Sequence, residues 1–112
     1  MNPSHGLPPQ TIDRITKVLA RFPGVKQAIL FGSRAKSTHR PGSDIDLALT
    51  GAALDSIAVG KIDDALDDLL LPYRFSLIIY DENTDREVAA HIVRVGVLLY
   101  EREHIKESLP RQ

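Results

Sequence analysis

The chain has 112 residues, of which 43% are hydrophobic and 26% charged, and a formal net charge of −1. That length suits one domain with a single modest core, and the near-neutral balance gives no global basic field to draw nucleic acid. The chain has no cysteine, which excludes a disulfide framework and thiolate zinc sites.

The four histidines, His5, His39, His91 and His104, are scattered without metal-ligand spacing. No apolar stretch approaches the roughly 18 residues of a membrane helix, and the opening MNPSHGLPPQ lacks the apolar centre of a signal peptide. With the absence of cysteine, these features predict a protein of the cytoplasm.

Residues 1–10 carry three prolines and a glycine and read as a flexible leader. The spacing of Ile12, Ile15, Val18, Leu19 and Phe22 predicts an amphipathic helix with Thr11 as its N-cap, ended by Pro23-Gly24. Val25–Phe31 reads as a buried strand that stops at Gly32, and Ser33 to about Lys36 as the first turn of a short helix. STHRPGS, residues 37–43, has the composition of a loop.

Asp44–Thr50 (DIDLALT) predicts a second strand, with Ile45, Leu47 and Leu49 on one face and Asp44, Asp46 and Ala48 on the other. From Asp55 to Leu71 the apolar residues recur at helical spacing. Asp63, Asp64, Asp67 and Asp68 fall on the remaining side, which is read as a solvated face rather than a cation site. Arg74–Tyr80 (RFSLIIY) predicts a third strand. Val88, Ile92, Val95 and Leu99 predict a last helix that starts near Thr84 or Asp85, with His91 and Arg94 flanking its apolar stripe as surface or packing residues. The main domain is thus expected over 11–104, with a frayed tail over 105–112. This order predicts an α/β two-layer fold, a small sheet of at least three strands with helices on one face.

Residues two apart on a strand point the same way, so Asp44 and Asp46 present two carboxylates with Cα atoms about 6.5–7 Å apart. Their mutual repulsion asks for a positive partner, and Mg²⁺ favours one or two carboxylates completed by phosphate and water. Gly32 and Ser33 stand where a strand gives way to a helical turn. There backbone N–H groups, a missing side chain and a hydroxyl suit a phosphate. Arg34, Lys36 and Arg40 add local positive charge. An Asp-x-Asp pair alone also fits an ordinary strand with a polar face. The whole constellation, a strand ending in Gly-Ser followed by Asp-hydrophobic-Asp-hydrophobic on the next strand, points to a metal–nucleotide site.

FGSRAKSTHRPGSDIDLAL resembles the signature of the minimal nucleotidyltransferases, small members of the DNA polymerase beta-like superfamily. LPYRFSLIIY resembles the third strand of that family and AAHIVRVGVLLYERE its closing helix, so the likeness covers roughly residues 10–104. The resemblance implies a nucleotidyltransferase core with a mixed sheet. It also implies ATP as donor, Mg²⁺ as metal, and transfer of AMP to a hydroxyl with release of pyrophosphate. Gly32 and Ser33, with Arg34 beside them, match the nucleotide-holding residues, and Asp44 and Asp46 match two of three metal-binding carboxylates. Small members of the family commonly pair with a helical HEPN-domain toxin, and some inactivate it by AMPylation. The partner implied is therefore a HEPN protein in a hetero-oligomer, with neither membrane nor nucleic acid.

The family pattern breaks at one position. Where its third catalytic carboxylate stands, in a stretch like YRFDL, this chain has Ser76 in YRFSL. Serine cannot supply that negative charge. Asp81 has the wrong strand parity and Glu82 lies about 20 Å further along an extended strand, so neither replaces it. Two functions stay open: a nucleotidyltransferase weakened or silenced at Ser76, and a non-catalytic antitoxin module that neutralises its partner by docking.

Overall fold

The computed structural model describes residues 6–35 and 44–102. In chain order the elements are α1 (Pro9–Ala20), β1 (Gln27–Phe31), α2 (Gly32–Ala35), β2 (Ile45–Thr50), α3 (Ser56–Asp67), β3 (Phe75–Ile79), α4 (Arg86–Val95) and β4 (Val97–Glu101). They build a four-stranded sheet of order β3-β2-β1-β4. β1 runs antiparallel to both β2 and β4, and β2 and β3 run parallel, so the sheet is mixed, as expected.

Period-two burial decides which face receives α1 and α3. Ala28 and Leu30 of β1 and Ile45, Leu47 and Leu49 of β2 are wholly buried. They pack in one cluster with Ile15, Val18 and Leu19 of α1 and Ile62 and Leu66 of α3. α1 contacts α3 and β4, and α3 contacts β3, which makes the helical layer. α4 instead reaches β1 and α2, at the side of β1 that carries Ile29 and Phe31.

Several local expectations change. α1 starts at Pro9 with Pro8 as its N-cap, not at Thr11, which is itself buried. Proline suits the first turn because its missing N–H would have no partner there. Leu7 is also in the core, so ordered structure reaches into the segment read as a leader. α3 ends at Asp67, with Leu70 at φ +56° and exposed beyond it.

The last helix departs most from its expected form. Leu99 belongs to β4, and the family-like closing segment AAHIVRVGVLLYERE is a helix followed by a strand. Gly96 makes that change possible, because a Cβ there would collide with the Ile92 carbonyl oxygen and meet Ile29 Cγ2 at 2.8 Å. The run VLLYE after it is β-prone and adds to the free edge of β1. Arg102 then ties the strand to the end of α1, donating from Nε to the Val25 carbonyl at 3.1 Å and from Nη2 to those of Ala20 and Phe22 at 3.0 and 3.1 Å.

Aspartates cap two helices. Asp55 Oδ1 accepts the Ala58 N–H at 2.8 Å at the start of α3. Asp85 Oδ2 accepts the Glu87 and Val88 N–H groups at 3.0 and 3.2 Å at the start of α4. Thr84 serves the preceding turn: its Oγ1 accepts the Asp81 N–H and donates to the Ile79 carbonyl. The loop 37–43, Lys36 and Arg40, the start of the leader and the tail 105–112 lie outside the described residues.

Candidate functional site

The site forms where β1 ends and β2 begins. Antiparallel pairing sets Phe31 against Asp46, and parallel pairing sets Asp46 against Ser76, so the three occupy one row across the sheet. Asp46 is at intermediate burial, while Ser76 and Asp44 are exposed. Asp44 immediately precedes β2, two residues from Asp46, and its carboxylate contributes to the field at Asp46.

Gly32 closes the row at its β1 end. Its φ of +79° lies in the left-handed region that favours glycine. A Cβ at this position would collide with Asp46 Oδ2. The turn after β1 and the inner carboxylate therefore share a space that admits no side chain. Gly32 and Asp46, separate in sequence, meet here. Ser33 follows in α2.

Electrostatics at Asp46 are those of a crowded anion. Burial of its carboxyl, first, and the neighbouring Asp44 carboxylate, second, raise its pKa above the ordinary 3.8, while His91 acts in the opposite sense. A divalent cation would relieve both raising causes. Asp44 and Asp46 are the residues that could hold a single Mg²⁺, which favours one or two carboxylates completed by water and phosphate. A site with a third carboxylate is not formed, since no group of three His, Asp or Glu side chains with metal-binding geometry occurs among the described residues. Asp81 does not fill in: it lies past the end of β3, where its Oδ1 accepts the Asn83 N–H at 2.8 Å.

Arg34 is withdrawn from the surface. It is 1% exposed, and its guanidinium lies 4.9 Å from the centre of the Tyr73 ring. This ties α2 to the segment that leads into β3. The sequence pattern predicts His91 as a surface or packing residue, yet it enters the site from α4. Its Nε2 accepts the Gly32 N–H at 3.1 Å, and its ring meets Phe31 edge-on, with centroids 6.1 Å apart and planes at 77°. The only sequence signal for this was position, next to Ile92 on the buried stripe.

The aspartates of α3 crowd one another. Asp63 is raised above 3.8 by burial and by its neighbours Asp67 and Asp64, as expected for crowded like charges on one helix. No helix among the described residues is long and apolar enough to cross a membrane.

Comparison with known proteins bears on the family and the fold. The model of the family described as polymerase beta, nucleotidyltransferase, matches residues 13–105. A solved toxin–antitoxin complex with AMP-PNP contains a chain that is 25% identical, with a TM-score of 0.62 over 82% of this chain and 74% of that one. The MntA-HepT toxin–antitoxin is 24% identical, with a TM-score of 0.63 over 83% and 72% of the two chains. A chain in the solved complex of a tri-AMPylated Shewanella oneidensis HEPN toxin with an MNT antitoxin is 23% identical, with a TM-score of 0.58 over 83% and 71%. No curated protein sequence matches significantly. The mixed sheet, the Gly32 turn set against Asp46 and a family match over most of the chain lead to one assignment: this chain belongs to the polymerase beta nucleotidyltransferase family.

Proposed function

We propose that the protein is an antitoxin-type minimal nucleotidyltransferase of the cytoplasm that binds Mg-ATP and transfers AMP to a hydroxyl of a HEPN-domain partner. The observation that carries this reading is the steric fit of Gly32 to Asp46, which brings a phosphate-suited turn and a metal-suited carboxylate pair to one place. The solved neighbours, one holding AMP-PNP and one with an AMPylated HEPN toxin, support the donor and the partner.

In the transfer, the acceptor oxygen bonds to the α-phosphorus of ATP as the bond to the departing pyrophosphate breaks, and the acceptor proton passes to solvent water. Such reactions are accelerated mainly by positioning and charge neutralisation. Asp44 and Asp46 would hold the Mg²⁺, which when bound offsets the negative charge of the triphosphate. The turn at Gly32 and Ser33 would seat the phosphates, and Arg34 keeps α2 in place from beneath through Tyr73. Ser76 occupies the position from which a carboxylate could favour departure of the acceptor proton, and its hydroxyl brings no negative charge there. Weak transfer follows.

Ser76 favours a second reading, in which the protein binds nucleotide and partner but neutralises the partner by docking, whereas Gly32, Ser33, Asp44 and Asp46 favour the enzyme. One experiment separates the two. The protein is incubated with Mg-ATP and its HEPN-domain partner, and the partner's intact mass is measured. An AMP adduct establishes the enzyme. A stable complex with no adduct, from both the wild type and Ser76→Asp, establishes docking.

A further inference from the structure

We propose that His91 is a positioning residue for the phosphate-bearing turn: its neutral Nε2 accepts the Gly32 N–H and so fixes, from α4, the backbone on which the triphosphate rests. The proposal rests on the nucleotide-binding reading above.

Three observations carry it. Gly32 follows the last paired residue of β1, Phe31, so its N–H lies beyond the β1–β2 ladder. The first N–H groups of a helical turn have no acceptor within the turn. His91, distant in sequence, supplies one at 3.1 Å. The acceptor is also held firmly. Its ring rests edge-on against Phe31, the next residue, Ile92, is buried, and α4 is capped at its start by Asp85. Finally, Gly32 has a wide conformational range, and the turn must keep φ near +79° for the Asp46 carboxylate to fit against it. A fixed acceptor on a neighbouring helix selects one conformation from that range.

Two consequences follow. An Nε2 that accepts leaves the ring proton on Nδ1, so the bond defines the tautomer of His91. The Gly32 amide is also committed to His91, and this transfers the work of meeting phosphate to the N–H groups that follow it in the turn.

The test compares two variants with the wild type. His91→Phe keeps an aromatic edge against Phe31 and removes the acceptor. His91→Gln places an amide oxygen near the position of Nε2. Mg-ATP affinity is read by calorimetry and folding by thermal melting. Loss of one well-placed hydrogen bond predicts roughly five- to tenfold weaker binding for His91→Phe, with His91→Gln within about twofold of the wild type. Unchanged affinity in His91→Phe, or equal losses in both variants, overturns the proposal. Nitrogen NMR of the wild-type histidine gives a second readout that needs no variant to fold. The Nδ1–H tautomer is expected, and the Nε2–H tautomer overturns the proposal. If the wild type itself fails to bind Mg-ATP, the nucleotide-binding reading falls and the proposal falls with it. A wild type that binds while His91→Phe binds equally well defeats the proposal alone.

Discussion

Asp46 and Ser76 are direct partners in the parallel register of β2 and β3. Neighbouring strands lie about 4.8 Å apart, so a carboxylate at position 76 would stand beside that of Asp46 on the same face. Ser76→Asp should therefore melt at a lower temperature than the wild type without metal, because two anions at that spacing repel. Millimolar Mg²⁺ should reverse the loss, and AMP transfer to the partner should rise by about a hundredfold or more, the range general bases contribute. If Mg²⁺ stabilises Ser76→Asp no more than the wild type, position 76 does not face the metal.

Asp46 should cost the apo protein stability. Burial and Asp44 raise its folded pKa above 3.8, so the folded chain holds this proton more tightly than the unfolded chain. The ionised group then penalises folding in full above the folded pKa. The penalty shrinks as pH falls through the window and vanishes below the ordinary value. Asp46→Asn should accordingly melt above the wild type at neutral pH, and the two should converge as the pH approaches the ordinary carboxylate value. The same variant should lose the rise in melting temperature that Mg²⁺ gives the wild type. Melting curves across that pH range, with and without Mg²⁺, check both signs. A lower melting point for Asp46→Asn at neutral pH would mean that the carboxylate already has a stabilising partner.

The parts of this architecture that can be read from sequence are those where a side-chain period dominates. Ile45, Leu47 and Leu49 alternate with Asp46, and that alternation alone fixes the face on which the carboxylate emerges. Register is a different matter. The pairing of Asp46 with Ser76 depends on where β3 stops sliding along β2, which local pattern cannot specify. Leu99 shows a second limit. Its spacing from Val95 suits a helix, but the backbone at Gly96 packs too closely on Ile92 and Ile29 for any side chain, and the chain turns into β4 there. His91 shows a third, since a hydrogen bond across 59 residues leaves no trace in local periodicity.

The N-cap of α4 should matter to the site as well as to the fold. Asp85 accepts two N–H groups at the start of the helix that carries His91. Asp85→Ala should lower stability by about 1 kcal/mol, which for a domain of this size is roughly 4–8 °C in melting temperature. Because fraying begins at Arg86 and His91 lies in the second turn, amide exchange should quicken at Glu87 and Val88 well before it does at Gly32. Hydrogen exchange resolved by residue would show whether that order holds.

Gly32→Ala combines two separable costs. The backbone at φ +79° is strained for alanine, and the added Cβ meets Asp46 Oδ2. The backbone strain should account for about 1–2 kcal/mol, and the collision should add to it or push the carboxylate aside. Asp46→Ala removes the colliding group and leaves the backbone cost untouched. The double variant should therefore be more stable than the sum of the two single changes predicts, with a coupling of about 1 kcal/mol or more, as for residues in direct contact. Denaturant unfolding of the four proteins measures that coupling. A value near zero would show that the turn and the carboxylate do not share a space, and the steric basis of the site would be lost.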